Sequence, residues 1–231
     1  MVRQLVTHVL AEDIGPKWLY WPWVADHYSE ISSAFQEHVS LTFWAVLWGL
    51  VISLPLGIAC ARWRWLYVPT IAATSVLFTI PSLALFAFLI PVTGLSRATA
   101  LIPLVAYTLL ILVRNVVIGL AAVPSDVVEA AQGMGYSRTR SLLRVELPLA
   151  VPTIMTGVRI ATVTTIGLVT ITATIGQGGL GQLMFTRGFQ IDFRTPVTVA
   201  TLLVVAFAIA ADASLLGVQR LATPWLRKQR V

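Results

Sequence analysis

The chain has 231 residues, 57% of them hydrophobic and only 11% charged, with a formal net charge of +6. Soluble domains carry roughly 25% charged residues, so the composition excludes a soluble globular core. Together with a mean hydropathy of +0.83 it predicts an integral membrane protein. A basic balance can mean nucleic acid, but in such a chain basic residues mark the cytoplasmic loops, and no nucleic-acid partner is expected.

The apolar runs show no strand-period alternation between turn signals, so the spans are predicted to be helices rather than barrel strands. Residues 1–38 read as an extracytoplasmic arm, with no cleavable signal because the first long apolar run begins only near Val39. His8, His27 and His38 lack ligand spacing, and His8 with Glu12 reads as a solvated helix face. The lone Cys60 rules out an internal disulfide or a cysteine metal site. Residues 39–219 read as the transmembrane domain, with spans at about 40–61, 67–92, 98–120, 149–175 and 196–219. The second is predicted to break around Thr79-Ile80-Pro81. A sixth span arises only if that stretch divides or the N-terminus inserts. Residues 220–231 form a basic tail.

Loop charge sets the orientation. One face collects Arg62, Arg64, Arg138, Arg140, Arg144, Arg220, Arg227, Lys228 and Arg230; the other keeps Arg3, Lys17, Arg97, Arg187 and Arg194, and its N-terminal arm is acidic on balance. The first face is expected to be cytoplasmic, with the N-terminus outside and the C-terminus inside. Trp63, Trp65 and Trp225 then fall at the inner interface, and Trp18, Trp21 and Trp23 near the outer one.

The loop at about 121–148 contains DVVEAAQGMGYSRTRSLLRVELPLA. Pro124-Ser125-Asp126 reads as a helix start, Gly133 and Gly135 as a turn, and Ser137 as the cap of a second short helix that ends before Pro148. An amphipathic loop lying on the headgroups fits the same pattern. However, Glu129-Ala130-Ala131, three residues, Gly135, nine residues and Val145-Glu146-Leu147-Pro148 resembles the cytoplasmic "EAA" loop of ABC-importer permeases, departing from it only by Val145 in place of isoleucine.

In that family the loop is a coupling helix docked in the ATPase subunit. The resemblance therefore implies that Glu129, Ala130, Ala131, Gly135, Leu147 and Pro148 are coupling residues. Thr79-Ile80-Pro81-Ser82-Leu83-Ala84-Leu85 and Ile175-Gly176-Gln177-Gly178-Gly179-Leu180-Gly181 are similar to stretches of the permeases for glycine betaine, carnitine and choline. The methionine importer permeases share the glycine-rich stretch. What this implies is an all-α integral membrane protein of the methionine-importer-like ABC permease fold, in the bacterial cytoplasmic membrane. Its expected partners are two ATP-binding cassette subunits, a second permease subunit (identical or related) and an extracytoplasmic substrate-binding protein. ATP and magnesium would sit in the ATPase, and no cofactor in this chain.

Other readings fare worse. Gly176 to Gly181 satisfies G-x-G-x-x-G by letter but lacks the strand, the helix and the downstream acid of a dinucleotide site. A phosphate loop needs Gly-Lys-Ser or Gly-Lys-Thr, whereas the lysines here, Lys17 and Lys228, precede Trp18 and Gln229. The chain is thus not expected to be an enzyme by itself. A methionine-type permease is the nearest alternative. An ion-coupled carrier would show repeats and several intramembrane acids, and a non-transporting scaffold would have no use for the coupling loop. Two charges are singled out inside spans, Arg159 and Asp212, about 15 Å and about 10 Å from the same face at 1.5 Å per residue. They are expected to form an intramembrane ion pair.

Overall fold

The fold is described from a computed structural model of the chain, for residues 18–225. The expectations for His8, Glu12, Arg3, Lys17, Arg227, Lys228 and Arg230 lie outside these residues. Among the described residues the secondary structure is entirely helical.

A short helix α1 (Trp21–Asp26) leads into α2 (Tyr28–Arg62), which starts well before the boundary expected at residue 38. Glu30 and Glu37 make residues 28–38 look polar in a hydropathy window. Yet Ile31 and Phe35, four apart, pack one face of this extension into a core, so tertiary burial carries the helix on. Next come α3 (Arg64–Thr79) and α4 (Ser82–Thr93), separated at Ile80-Pro81. Pro81 cannot donate a backbone bond and pushes Ile80 into extended geometry (φ −63, ψ 128). The Ile80 carbonyl receives the Tyr107 hydroxyl instead. The long helix α5 (Arg97–Ala121) follows, then α6 (Ser125–Gly133) and α7 (Arg138–Ser141).

A π-helical turn, Leu142–Glu146, leads into α8 (Leu147–Val169). The Leu147 N–H reaches the Leu142 carbonyl there, five residues back. Widening of this kind relieves the clash that the Pro148 ring would make with the Arg144 carbonyl in an α-turn. A 3₁₀ turn, Thr170–Ile175, the short α9 (Leu180–Gln182), a π-helical stretch, Leu183–Phe189, and α10 (Arg194–Ala222) complete the chain.

Among the described residues four helices are long and apolar enough to cross a membrane, and five spans result if α3 with α4 is one broken span. The chain forms two compact units. Among the described residues, one takes 18–44, Pro81–Leu104 and Ile166–Ile209; its core is Ile31, Leu180, Leu183, Val199 and Ala200. The other takes Ala45–Ile80, Val105–Thr165 and residues 210–225. Its core holds Val116, Leu120, Ala150 and Ile154, and further along the same helices Leu112, Val158 and Ala161. Large apolar side chains such as Val76, Phe88, Leu202 and Ile209 stay well exposed. Hydrocarbon tolerates such a surface and water does not.

Candidate functional site

Helix α6 starts at Ser125, after Pro124 has set an extended residue, and Asp126 sits in its first turn, where a carboxylate suits the helix dipole. The C-terminus is a full Schellman closure: the Gly135 N–H donates to the Gln132 carbonyl (2.9 Å) and the Tyr136 N–H to the Ala131 carbonyl (3.1 Å). That closure needs a left-handed residue at Gly135, which has φ +84. Space around Gly135 is open within the chain, so backbone conformation and not crowding fixes the glycine. Gly133 is an ordinary helical residue, so the turn expected from both glycines is made by Gly135 alone.

Of the two alanines, Ala131 is buried inside the chain while Ala130 is exposed together with Glu129, Val127 and Met134. The exposed surface of α6 therefore carries two acids, Asp126 and Glu129, beside small and apolar groups. Ser137 Oγ accepts from the Arg140 N–H at 3.3 Å and so caps α7. The buried Ser141 donates to Glu146 Oε1 at 2.9 Å, across the π-helical turn. Leu147 packs against the core formed by Val116, Leu120, Ala150 and Ile154, and the adjacent Pro148 is half-buried. This ties the segment that carries α6 to the body of α5 and α8.

Arg159 on α8 and Asp212 on α10 are brought together: Nε donates to Oδ1 and Nη2 to Oδ2, each at 2.8 Å. Arg159 lies twelve residues into α8 and Asp212 ten residues from the end of α10, about 18 Å and about 15 Å along their axes. Gln219 Nε2 donates to the Pro152 carbonyl at 3.2 Å, so the two helices are joined by polar contacts at two levels. Counting only Arg159 and Asp212 as charges inside spans misses Arg114. It falls within α5 and lies on an exposed face.

The second cluster lies in the other unit. His38 is fully buried; its Nε2 is 3.0 Å from the Ile166 carbonyl, and its Nδ1 accepts the Leu180 N–H at 3.3 Å. A carbonyl can only accept and an amide N–H only donate, so both contacts are met by the neutral ring with its proton on Nε2. Glu37, the preceding residue, accepts the Gly179 N–H at 3.1 Å. Two adjacent side chains of α2 thus hold two adjacent backbone amides of the glycine-rich stretch. Thr172 closes the loop from the other side, donating to the Gln177 carbonyl at 2.7 Å.

A Cβ on Gly181 would come within 2.0 Å of the Thr170 carbonyl oxygen, so close backbone approach requires that glycine. The stretch follows a 3₁₀ turn rather than a strand, which removes the dinucleotide-binding context. His38 escaped sequence reading because it answers to neither periodicity nor ligand spacing. Its place at the head of the first apolar run was the available signal.

Among the described residues the chain is a set of long apolar helices with two short helices on a loop between spans, an arrangement suited to a transport permease. Residues 53–227 match the family described as "Binding-protein-dependent transport system inner membrane component", and the chain belongs to that family. It is similar to the choline transport system permease protein OpuBB of Bacillus subtilis (strain 168), 33% identical over 193 residues, covering 80% of this chain and 89% of that one. It is similar also to the osmoprotectant import permease protein OsmW of Salmonella typhimurium, 35% identical over 207 residues, covering 87% and 96%. Among solved structures, the inward-facing MetNI methionine ABC transporter matches with a TM-score of 0.76 at 24% identity, over 84% of this chain and 96% of that one. At that identity the likeness speaks for the fold alone. As a member of that family with several apolar helices, the chain is a multi-pass inner-membrane component of a binding-protein-dependent transport system.

Proposed function

We propose that the chain is the translocating subunit of an ATP-driven importer for small quaternary ammonium osmoprotectants such as glycine betaine, carnitine or choline. The observation that carries the substrate class is identity of 33% and 35% to choline and osmoprotectant permeases, each over at least four-fifths of the chain. In this reading two ATPase subunits grip the exposed surface of α6, around Glu129 and Ala130, and their closure is passed to α5 and α8 through Leu147 and Pro148. Five spans are too few to enclose a path, so a second permease subunit, identical or related, completes it. The α6 face is cytoplasmic, in keeping with the arginines around it.

The permease needs only a weak, transient path, and aromatic faces that suit a cation without N–H donors belong to the binding protein. ATP and magnesium act in the ATPase. Uptake of labelled glycine betaine by cells carrying this chain with its ATPase and binding protein tests the proposal, with choline, carnitine and methionine as competitors. Competition by the three quaternary ammonium solutes is expected. Competition by methionine alone would move the chain to an amino-acid importer.

A further inference from the structure

Next to the coupling segment lies a groove of about 820 Å³, walled by the end of α2, the start of α3, the end of α5 and the α7 turn. Its size falls in the range of about 300–1,000 Å³ typical of small-molecule sites. Arg62, Arg64 and Arg138 line it from three different elements. All three are exposed, and none forms an ion pair among the described residues. The acid that lines it, Glu146, is engaged by Ser141 and paired with none of the arginines, so the groove keeps a net positive charge.

Below the arginines the lining turns apolar, through Pro55, Ile58 and Leu120. Pro55 and Arg62 are seven residues apart on one helix, so this wall extends about 10 Å from the arginine level. Trp63 and Trp65, 55% and 73% exposed, mark that level as the headgroup region. The apolar wall therefore runs into the hydrocarbon.

We propose that this groove is a binding site for an anionic phospholipid. Its phosphate is held by Arg62, Arg64 and Arg138, and its glycerol and upper acyl chains lie along Pro55, Ile58 and Leu120. Charge-assisted contacts to phosphate oxygens satisfy guanidinium groups that pair with no acid among the described residues. A soluble protein docking on α6 meets the headgroup level and leaves the 10 Å apolar wall unfilled. A quaternary ammonium solute is repelled by the arginines. The site rests on the membrane location of the chain and not on its substrate.

Native mass spectrometry tests it on the delipidated complex of this chain with its ATPase, titrated with phosphatidylglycerol and with phosphatidylcholine of the same chain length. Phosphatidylglycerol is expected to bind preferentially. The triple variant Arg62→Gln, Arg64→Gln, Arg138→Gln should weaken it on the order of a hundred-fold, about five-fold per arginine. Arg64→Gln alone should give about five-fold, which keeps the test sound if the triple variant does not assemble. Arg187→Gln, elsewhere in the chain, should leave binding unchanged. Equal binding of the two lipids, or unchanged binding in the variants, overturns the proposal. So does displacement of the lipid by an equal concentration of sn-glycerol 3-phosphate, because the apolar wall would then contribute nothing. If the triple variant loses the ATPase but keeps the lipid, the groove is a protein contact and the proposal fails.

Discussion

Arg159 and Asp212 meet edge to edge, two N–H groups of one guanidinium on the two oxygens of one carboxylate, each at 2.8 Å. The side chains remain 25% and 37% exposed, so the pair is reached from one side rather than sealed in a core. An intramembrane charge is costly unless paired or wet, and this one is paired. We expect Arg159→Ala and Asp212→Ala each to impair transport or assembly, and the double change to cost less than the sum of the two. Arg159→Lys should not restore activity, since an ammonium cannot make the two-pronged contact. The double-mutant cycle in an uptake assay checks this; strict additivity would show that the two charges act apart.

His38→Ala leaves the Leu180 N–H and the Ile166 carbonyl without their partner in a dry setting. Each orphaned group costs about 1–3 kcal/mol, so a clear loss of thermal stability is expected in detergent. Glu37→Gln keeps an acceptor for the Gly179 N–H and should be far milder. Melting of the purified variants by size-exclusion recovery after heating compares them; equal melting temperatures would remove the clasp from the account.

Gly181→Ala should fail where Gly217→Ala succeeds. The first Cβ would lie 2.0 Å from the Thr170 carbonyl oxygen, whereas the second meets nothing within 4 Å. A helical glycine with room around it gains about 0.5–1 kcal/mol from alanine. Expression and melting of the two variants should move in opposite directions.

The spans and the two short helices of the 121–148 loop were legible in the sequence for simple reasons. A run of about twenty apolar residues with at most one charge is a strong one-dimensional signal, and the break at Ile80-Pro81 follows from a proline that cannot donate. The helix start at Tyr28 was hidden because Glu30 and Glu37 lower the local hydropathy. Only the fold shows that Glu30 bonds Arg187 and that Glu37 grips the glycine-rich stretch. Which alanine of Glu129-Ala130-Ala131 faces outward, and that Gly135 but not Gly133 makes the turn, also needed coordinates: a sequence marks small residues without telling burial from exposure. Arg114 was there to be counted and was passed over amid the apolar residues of its span.

Topology can be read by chemistry. With Cys60 replaced, a single cysteine at Ser137 should react with an impermeant thiol reagent only after the membrane is opened. A cysteine in the arm at residue 29, now Ser29, should react in intact cells. The reverse pattern would invert the orientation.

In the function proposed above α6 transmits ATPase action to the membrane helices, and Gly135 is where that transmission can be cut most cleanly. Its φ of +84 costs a side-chain-bearing residue about 1–2 kcal/mol, least for asparagine, which tolerates the left-handed region. Proteoliposomes holding the permease, ATPase and binding protein allow ATP hydrolysis and glycine betaine uptake to be measured together. Gly135→Leu should assemble and still hydrolyse ATP but take up no solute, while Gly135→Asn should retain most uptake. Undiminished ATP-driven uptake by an assembled Gly135→Leu complex would contradict the account.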